Sequence, residues 1–398
     1  MRTDAALPVL RLLTDCDLYA PHHVGRVAIL VAGGRIAWIG TERPALPAAL
    51  GVETIDAVGL RVIPGLIDGH AHLTGGGGEA GPHTKVPPLA LSRFTLGGVT
   101  TAIGVLGTDD VTRTTGELIT AVHALRAEGL NAWAYTGGYH VPLTTLTGSV
   151  RGDMAFVECL IGVGELALSD HRSSQPTLDE LLRIAADAHV GGLMTGKAGI
   201  VHLHMGDGVR GLQLVRDALA QSELPPRVFN PTHVNRRRAL FDEAIALARG
   251  GCSIDVTAFP VDEGEDAYDA AEALERYRAS GAPPERITVS SDGGGCLPVF
   301  DGDGRVASFD VGRPAALIAT IVDAVARGLA LEAVLPAFTT NVARLLRLPH
   351  KGHISVGSDA DLVILDARGG VRDVMIGGEW MVRAATAVRR GAFDGGVA

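Results

Sequence analysis

The sequence predicts an α/β protein in which a (β/α)8 TIM barrel over residues 63–346 is joined to a small β-sandwich domain built from both termini, residues 1–62 and 347–398. Three observations lead to this prediction. Apolar β-type runs alternate with helical stretches in the middle of the chain, strand-like segments recur at both ends, and several middle runs end on histidine or aspartate. The length of 398 residues exceeds one typical domain but fits a large barrel with a small companion.

The two ends of the chain share a pattern of short strands and tight turns. Residues 27–31 and 35–39 have the composition of strands, and Gly33-Gly34 between them is typical of a hairpin turn. Strand-like segments divided by turns return at residues 352–354, 360–365, 371–376 and 379–382. We therefore expect the chain to leave a small β domain after its first strands and to complete that domain at its end.

The middle of the chain has the pattern of βα units around a buried parallel sheet. Helices are expected at residues 115–128, 178–188, 238–248 and 270–279. Eight candidate strands end at Asp68, Gly107, Tyr139, Leu168, His204, His233, Thr257 and Asp292. Eight such units predict a closed barrel, in which catalytic groups lie at the C-terminal ends of the strands.

The composition argues against several classes of partner. The formal charge of −10 makes nucleic acid or an anionic membrane surface an unsuitable partner. The chain lacks the apolar segment of about eighteen residues that a membrane span needs, and its first residues lack the continuous apolar run of a signal peptide. The four cysteines have no paired or CxxC spacing, as expected of free thiols in a reducing compartment. We expect a soluble, cytoplasmic protein.

Histidines and an aspartate stand where candidate strands end. His70 and His72 follow an apolar run, and residues i and i+2 of a strand point to the same side, so both imidazoles can face one ion. His204, His233 and Asp292 end three further runs. Any one of them taken alone could be an ordinary hydrogen-bonded polar residue. Their joint placement at strand ends favours a metal site.

The chemistry of this set is that of a binuclear metal-dependent hydrolase. Neutral imidazoles suit zinc, and two cations about 3.5–4 Å apart require an anionic bridge. Water held between two such ions is acidified to hydroxide near neutral pH, so no serine or cysteine nucleophile is needed. Asp292 is the candidate general base and acid, which would take the proton and deliver it to the leaving amine.

The segment PGLIDGHAH at residues 64–72, followed by the His204, His233 and Asp292 strand ends, resembles the amidohydrolase superfamily. The segment GSDADLV at 357–363 is similar to the return strand of that superfamily's small β domain. The nearest resemblance within it is to the bacterial isoaspartyl (β-aspartyl) dipeptidases. It covers nearly the whole chain and rests on residues 75–82 (GGGGEAGP), 106–109 (LGTD), 138–142 (GYHVP), 169–173 (SDHRS), 204–207 (HMGD) and 231–236 (PTHVNR).

The resemblance implies roles for individual residues. His70 and His72 would hold one metal ion together with Asp292, while His204 and His233 would hold the second. The implied substrate contacts are Glu79 to the free α-amino group, Arg172 and Arg236 to carboxylates, Tyr139 to the carbonyl oxygen as it gains charge, and Gly77 and Thr108 through backbone or hydroxyl groups. A β-aspartyl dipeptide carries one ammonium and two carboxylates, which suits one acid and two guanidinium forks.

Three of these residues are also compatible with a purely structural role. Arg172 and Arg236 could form structural ion pairs, Arg172 with Asp170 for example. Tyr139 could be an aromatic wall residue. The resemblance also implies a homo-oligomer and two divalent metal ions; zinc is favoured, although cobalt or manganese suits the same ligands.

The sequence departs from the family pattern at two positions. The family has a carboxylated lysine on the fourth strand as the metal bridge, but no lysine occurs between Lys85 and Lys197, and Glu165 occupies the position. We expect Glu165 to bridge the metals, with Gly162 and Gly164 permitting the closer backbone approach that its shorter side chain needs. The alternative is an ordinary strand-end acid with solvent hydroxide as the bridge. Cys296 replaces a substrate-binding serine, and a thiol is a weak hydrogen-bond donor.

These inferences predict a binuclear zinc enzyme that hydrolyses isoaspartyl dipeptides, using a metal-bridged hydroxide and Asp292 as general acid and base. The alternative is another amidohydrolase, such as an N-acyl amino acid deacylase or a cyclic-imide hydrolase. A more remote alternative is a non-catalytic assembly protein on the same fold. The expected partner is a small dipeptide. The residue preferred after the isoaspartyl group and the oligomer size are not readable from the sequence.

Overall fold

The computed structural model describes residues 9–300 and 306–395. The strands, in chain order, are β1 (Arg11–Tyr19), β2 (His23–Ala32), β3 (Arg35–Gly40), β4 (Glu53–Asp56), β5 (Arg61–Pro64), β6 (Leu66–Ala71), β7 (Val99–Gly104), β8 (Asn131–Thr136), β9 (Leu160–Leu168), β10 (Val201–Met205), β11 (Phe229–Thr232), β12 (Ile254–Thr257), β13 (Ile287–Ser290), β14 (Cys296–Phe300), β15 (Val306–Val311), β16 (Leu362–Leu365), β17 (Val371–Ile376), β18 (Glu379–Arg383) and β19 (Thr386–Ala387). The helices are α1 (Leu91–Thr95), α2 (Thr115–Glu128), α3 (Val150–Phe156), α4 (Leu178–Thr195), α5 (Gln213–Ala220), α6 (Arg238–Arg249), α7 (Ala270–Ala279), α8 (Ala316–Ala326), α9 (Leu331–Val334) and α10 (Thr340–Leu346).

One sheet combines strands from both ends of the chain. Its order is β19-β18-β17-β16-β5-β1-β2-β3, and β4 pairs with β1. The junction is β5, which runs parallel to β1 and antiparallel to β16, with Val62 opposite Ile364. Its inward side chains, such as Leu13, Ile29 and Ile364, are fully buried. Burial of each such side chain contributes roughly 1.5–3 kcal/mol, so this apolar layer holds the two ends together.

Two details of this sheet differ from the sequence expectation. Strand β1 is not expected from the sequence, because a bulge between Leu13 and Cys16, with Asp15 at φ 59°, breaks its alternation of polar and apolar residues. The prediction of a strand at 352–354 is wrong. Gly352 lies in a bend where a side chain would come within 2.7 Å of the Thr339 backbone, and Ile354 is buried without strand pairing. Ile354 is therefore apolar because its side chain is buried, and not because it belongs to a strand.

A second body of the fold consists of parallel strands separated by helices. Strands β6 to β11 form a six-stranded parallel sheet in chain order, and β12 pairs in parallel with β13. Strand β12 lies beside β11, and β13 lies beside β6. Ala71, at the end of β6, makes a parallel bridge to Gly293. Every residue of β9 is buried, as expected of a strand covered on both faces.

Of the four helices predicted from the sequence, α2, α6 and α7 begin and end within one residue of the expected bounds, while α1, α3 and α5 are not predicted. Helix α2 starts after Thr114, whose side chain accepts the Glu117 amide, and ends at Gly129 with φ 110°. Helix α4 has a complete capping box between Thr177 and Glu180. It is the exception among the four, because it continues to Thr195, well beyond the predicted end at residue 188. The hairpin of β14 and β15 is not expected from the sequence. Within the described residues, the helices are too short or too polar to span a bilayer.

Candidate metal centre and substrate pocket

The predicted metal ligands converge at the C-terminal ends of the parallel strands. His70 lies on β6, Glu165 on β9 and His204 on β10. His72 and His233 immediately follow β6 and β11, and Asp292 is the second residue after β13. All six side chains are buried. Their potential ligand atoms fall into three overlapping groups, each with atoms within 4.8 Å of one another: His70, His72, Glu165; His70, His233, Asp292; and Glu165, His204, His233. The strand-end pattern in the sequence therefore corresponds to one cluster in space.

The two oxygens of Glu165 face different pairs of histidines. Its Oε1 lies 3.6 Å from His70 Nε2 and 3.4 Å from His72 Nε2. Its Oε2 lies 3.1 Å from His204 Nδ1 and 3.4 Å from His233 Nε2. A carboxylate held in this way can offer one oxygen to each of two neighbouring cations.

Asp292 completes the side of the cluster formed by β6. Its Oδ1 lies 3.1 Å from His72 Nε2 and 3.4 Å from His70 Nε2, in a geometry that makes no hydrogen bond. The Nδ1 atom of His72 is also buried without a hydrogen-bond partner. Buried polar atoms are ordinarily hydrogen-bonded, so the unpaired Oδ1 of Asp292, which faces His70 and His72, fits a cation held in the cluster.

Backbone irregularity brings Glu165 into the cluster. Val163 pairs with Val201 and Leu166 with Leu203, so β9 uses three residues where β10 uses two, and the bulge falls at Gly164 and Glu165. The two neighbouring glycines are sterically required. A side chain on Gly162 would come within 2.7 Å of the Ile200 carbonyl oxygen, and one on Gly164 within 2.9 Å of the His202 Cβ. The bulge anticipated from the glycines is present.

The electrostatics of the cluster favour a bound cation. Burial would raise the pKa of Glu165, but the surrounding imidazoles outweigh it and hold that pKa well below its ordinary value. Burial opposes a charge on His70, yet Glu165 and Asp292 raise its pKa to about 9. Burial lowers the pKa of His233 to about 4, which leaves a neutral imidazole suited to metal ligation. The carboxylates thus draw positive charge into a buried site.

Further buried residues hold these ligands from behind. His70 Nδ1 lies 2.9 Å from His202 Nε2, and His202 Nδ1 lies 2.7 Å from Asn230 Oδ1. His233 Nδ1 lies 2.6 Å from the Thr257 hydroxyl. The amide of Ser291, next to Asp292, donates to Asp68 at 3.0 Å. Such partners fix the orientation of a ligand ring.

The sequence reasoning missed the residues behind the ligands. One available signal is that His202 and His204 are two apart on β10, the spacing that singles out His70 and His72. For Thr257 the sequence indicates a strand end and nothing about its contact with His233.

Tyr139 and Arg172 lie next to His204, among the polar and charged residues beside the cluster that are here called the pocket. The Tyr139 hydroxyl lies 2.8 Å from His204 Nδ1, and burial raises its pKa well above 10, so it stays protonated. Arg172 is held by Asp170 through contacts of 3.0 and 2.8 Å, and its guanidinium lies over the Tyr139 ring at 5.6 Å. The ion pair of Arg172 with Asp170 is therefore present. Asp170 also lies 3.0 Å from His204 Nε2, a contact that the sequence does not indicate.

Glu79 and Arg236 also border this pocket, each beside a different neighbour. Glu79 Oε1 accepts from Thr108 at 3.1 Å and lies 3.4 Å from Arg172 Nη1, whereas Glu79 Oε2 is buried without a partner. Arg236 donates to the Met205 carbonyl at 2.9 Å and pairs with Asp207, whose side chain is 72% exposed. Glu79 and Arg236 therefore both lie at the site. One oxygen of Glu79 has no hydrogen-bond partner, and the acid paired with Arg236 is exposed.

Gly77 and Cys296 lie together on a further side of the pocket. A side chain on Gly77 would come within 3.2 Å of Cys296 Cβ, and Gly77 itself has φ 73°. Burial, reinforced by the negative charges of Glu79 and Asp292, raises the pKa of the Cys296 thiol to about 11. Cys296 is therefore a neutral thiol beside the pocket, not a nucleophilic thiolate.

The chain is similar to known proteins in sequence and in structure. Residues 163–381 match the model of the amidohydrolase family. The crystal structure of the β-aspartyl dipeptidase from Fervidobacterium islandicum AW-1 in complex with a β-Asp-Leu dipeptide superposes with a TM-score of 0.89 and 39% identity, covering 95% of this chain and 98% of that one.

Curated relatives are similar over shorter or more divergent alignments. The imidazolonepropionase of Anaeromyxobacter sp. (strain K) is 28% identical over 92% of this chain and 90% of its own length. The imidazolonepropionase of Salinispora arenicola (strain CNS-205) is 35% identical, but the match spans only 31% of this chain and 30% of that protein.

Proposed function

The chain belongs to the amidohydrolase family, and on that premise we propose that this metal-dependent hydrolase cleaves isoaspartyl (β-aspartyl) dipeptides. The observation that carries the proposal is the charge pattern beside the metal cluster. Glu79 has a buried oxygen without a partner, while Arg172 and Arg236 present guanidinium groups near His204. One acid and two cations complement the single ammonium and two carboxylates of a β-aspartyl dipeptide. The similarity to the Fervidobacterium enzyme supports the same substrate class.

For the architecture, we propose that the eight parallel strands close into a (β/α)8 barrel over residues 63–346. The proximity of β12 to β11 and of β13 to β6 supports closure. The small domain would comprise residues 1–62 and 347–398 and form a β-sandwich. The pairing of β5 with both β1 and β16 supports a domain built from both ends of the chain.

The ligand set fits two divalent metal ions, for which zinc is our choice. His70, His72 and Asp292 would hold one ion, and His204 and His233 would hold the other. When bound, such a pair supplies Lewis acidity toward the scissile carbonyl and lowers the pKa of water. The unpaired buried Oδ1 of Asp292 supports this assignment.

For the anionic bridge, we propose Glu165 in place of a carboxylated lysine. The support is geometric: each carboxylate oxygen faces a different histidine pair, at 3.1 to 3.6 Å. The bulge at Gly164 and Glu165 compensates for a side chain shorter than lysine. A permanent carboxylate needs no carbon dioxide for its formation, so metal loading would not depend on bicarbonate.

Asp292 and Tyr139 would act on the reacting amide. Asp292 borders both the cluster and the pocket, and it would accept a proton from the attacking water and pass it to the leaving amine. Tyr139, kept protonated by burial, would donate a hydrogen bond to the carbonyl oxygen as negative charge develops there.

The remaining pocket residues would bind the substrate's polar groups. Glu79, assisted by Thr108, would accept the α-ammonium group, and Arg172 and Arg236 would bind carboxylates. The backbone of Gly77 and the thiol of Cys296 would line the same region. These roles separate a dipeptidase from an N-acyl amino acid deacylase or a cyclic-imide hydrolase, whose substrates lack the free α-ammonium group.

The test is turnover of matched dipeptides with zinc added. We expect β-aspartyl-leucine to be hydrolysed and α-aspartyl-leucine to be a poor substrate, because only the former places its carboxylates and ammonium on the Arg and Glu side chains. Succinyl-leucine, which lacks the ammonium, represents an N-acyl amino acid. A preference for succinyl-leucine, or for a cyclic imide such as hydantoin, would instead support one of the alternative amidohydrolase activities.

We also propose a cytoplasmic homo-oligomer. All four cysteines are free, which supports a reducing compartment. Helices α3 and α4 pack side by side, and Phe156, Leu193 and Met194 are exposed near their C-terminal ends. Such an apolar patch supports subunit association, which sedimentation analysis would measure.

A further inference from the structure

Arg113, in the connection between β7 and α2, is a buried cation whose contacts are chiefly with backbone carbonyls. Its Nε donates to the Thr74 carbonyl at 3.2 Å, and its Nη2 donates to the Val86 carbonyl at 3.0 Å. Its Nη1 lies 3.5 Å from the Gly77 carbonyl and 3.3 Å from Asp109. One planar guanidinium therefore ties both ends of residues 74–86, here called the glycine-rich loop, to the connection that carries Arg113 itself.

The two limbs of the glycine-rich loop are packed closely against each other. The Val86 amide donates to Gly76, and Gly77 bridges to Lys85, so the limbs run side by side. A side chain on Gly75 would lie 1.9 Å from the Val86 carbonyl oxygen. Carbonyl groups of both limbs face the Arg113 guanidinium.

Asp109 forms a second set of contacts between the β7–α2 connection and the glycine-rich loop. These contacts and those of Arg113 are together called the clamp. It pairs with Lys85 of the loop at 2.7 Å and with Arg113 at 3.3 Å. Partial burial would raise the pKa of Asp109, but hydrogen bonds from Lys85 and Thr112 outweigh it and hold that pKa well below its ordinary value. The loop is therefore held from two sides by charged groups that belong to, or pair with, the β7–α2 connection.

This clamp sets the geometry around Glu79. Glu79 lies on the glycine-rich loop, while Thr108, which donates to Glu79 Oε1, lies on the connection that carries Arg113. A shift of one segment against the other would break that hydrogen bond and redirect the unpartnered Oε2 atom. The position of the acidic group thus depends on a residue that makes no contact with Glu79 itself.

We propose that Arg113 is a positioning residue that fixes Glu79 for recognition of the substrate's α-ammonium group, and so sets the preference for substrates with a free α-amino group. The inference rests on the proposed function, in which Glu79 receives that ammonium. Lysine in place of Arg113 would keep the charge but lose the planar fork that reaches several carbonyl groups at once.

The experiment compares Arg113→Gln, Arg113→Lys and the surface variant Arg276→Gln, measuring β-aspartyl-leucine and succinyl-leucine hydrolysis and zinc content. For Arg113→Gln we expect KM for β-aspartyl-leucine to rise at least about tenfold, the equivalent of one charge-assisted hydrogen bond. Hydrolysis of succinyl-leucine, kcat and zinc content should change little. Arg113→Lys should be intermediate, and Arg276→Gln should match the wild type.

Hydrogen exchange of the Gly76 and Val86 amides supplies a readout independent of substrate. We expect both to exchange faster in Arg113→Gln, while amides of β9 are unchanged. Equal losses on both substrates, or faster exchange with unchanged substrate preference, would overturn the recognition role. If the wild type does not hydrolyse β-aspartyl-leucine, the proposed function has failed, whereas unchanged exchange in Arg113→Gln would overturn the clamp whatever the substrate.

Discussion

The metal cluster and the rim of the pocket are built in different ways. The cluster side chains come from strands or from the residue or two after them and are at most 11% exposed. The rim comprises Gly77, Glu79, Thr108, Arg172, Arg236 and Cys296. All but Cys296, which begins β14, come from loops or short turns, and two are already paired, Arg172 with Asp170 and Arg236 with Asp207. Strand register fixes the first group, whereas the second depends on contacts among loops. If the proposed roles hold, the reacting groups are fixed by strand pairing, and substrate preference depends on the loops.

The two arginines of the rim also differ from each other. Asp170, the partner of Arg172, is buried and shared with His204, so that pair orients Arg172 permanently. Asp207, the partner of Arg236, is largely exposed, and an exposed ion pair contributes at most about 1 kcal/mol. A substrate carboxylate could displace Asp207 at little cost. Arg236 is thus the arginine that is more readily available to a ligand.

The largest expected effect lies in the cluster, at Glu165. Glu165→Gln removes the negative charge that faces both histidine pairs, and close cations repel strongly without an intervening anion. We expect zinc to fall well below the roughly two ions per chain proposed for the wild type, and activity to fall on the order of a thousandfold or more. Elemental analysis and kinetics on the same preparations measure both.

The control for this variant is Glu158→Gln, which changes an exposed acid just before β9. It should keep metal and activity. Metal-free wild type should also regain activity with zinc as fast in bicarbonate-free buffer as with bicarbonate added. A bicarbonate requirement, or a Glu165→Gln protein that retains both metals, would show that another group forms the bridge.

Tyr139 contacts both the cluster and the rim, because its hydroxyl is 2.8 Å from His204 and its ring lies under Arg172. Tyr139→Phe should lower kcat about a hundredfold, the usual effect of losing one donor to a developing oxyanion, with little change in KM or metal content. A rise in KM with kcat preserved would mean that the ring merely forms a wall of the pocket.

A smaller effect is expected on the rim, at Arg236. Arg236→Lys keeps the charge but loses the bidentate contact, so kcat/KM for β-aspartyl-leucine should fall tens-fold, within the range of about 2–5 kcal/mol for a buried charged contact. Asp207→Asn should instead lower KM slightly, because it removes the competing partner. Amidating the dipeptide's carboxylate should harm the wild type far more than Arg236→Lys. Equal sensitivity of the two proteins would remove Arg236 from the site.

The same contrast explains how much could be predicted from the sequence. Parallel strands are buried on both faces, so their apolar runs and the polar residues that end them, such as His204 and Asp292, stand out. The contact between His202 and Asn230 could not be found in this way, because these residues meet through the register of β10 with β11. The clamp at Arg113 depends on loop conformation, for which no periodicity exists. The predicted end of helix α4 falls too early because glycines at 191 and 192 suggest an end, although they serve close packing on Met154 and Gly199.

The smallest expected effect is at Cys296, and it tests whether the rim is adjustable. The neutral thiol, close to Gly77, is a weak donor in a place where a hydroxyl would bind a substrate oxygen more strongly. Cys296→Ser should lower KM for β-aspartyl-leucine about two- to fivefold, equivalent to less than about 1 kcal/mol, with kcat and zinc content unchanged. The Cys296→Ala variant shows whether the change in KM comes from hydrogen bonding or from the size of the side chain. If the rim works by individual weak contacts, alanine should bind no better than cysteine and serine should bind better than both. Equal KM values for serine and alanine would mean that this position only fills space, and that preference is set by the charged residues alone.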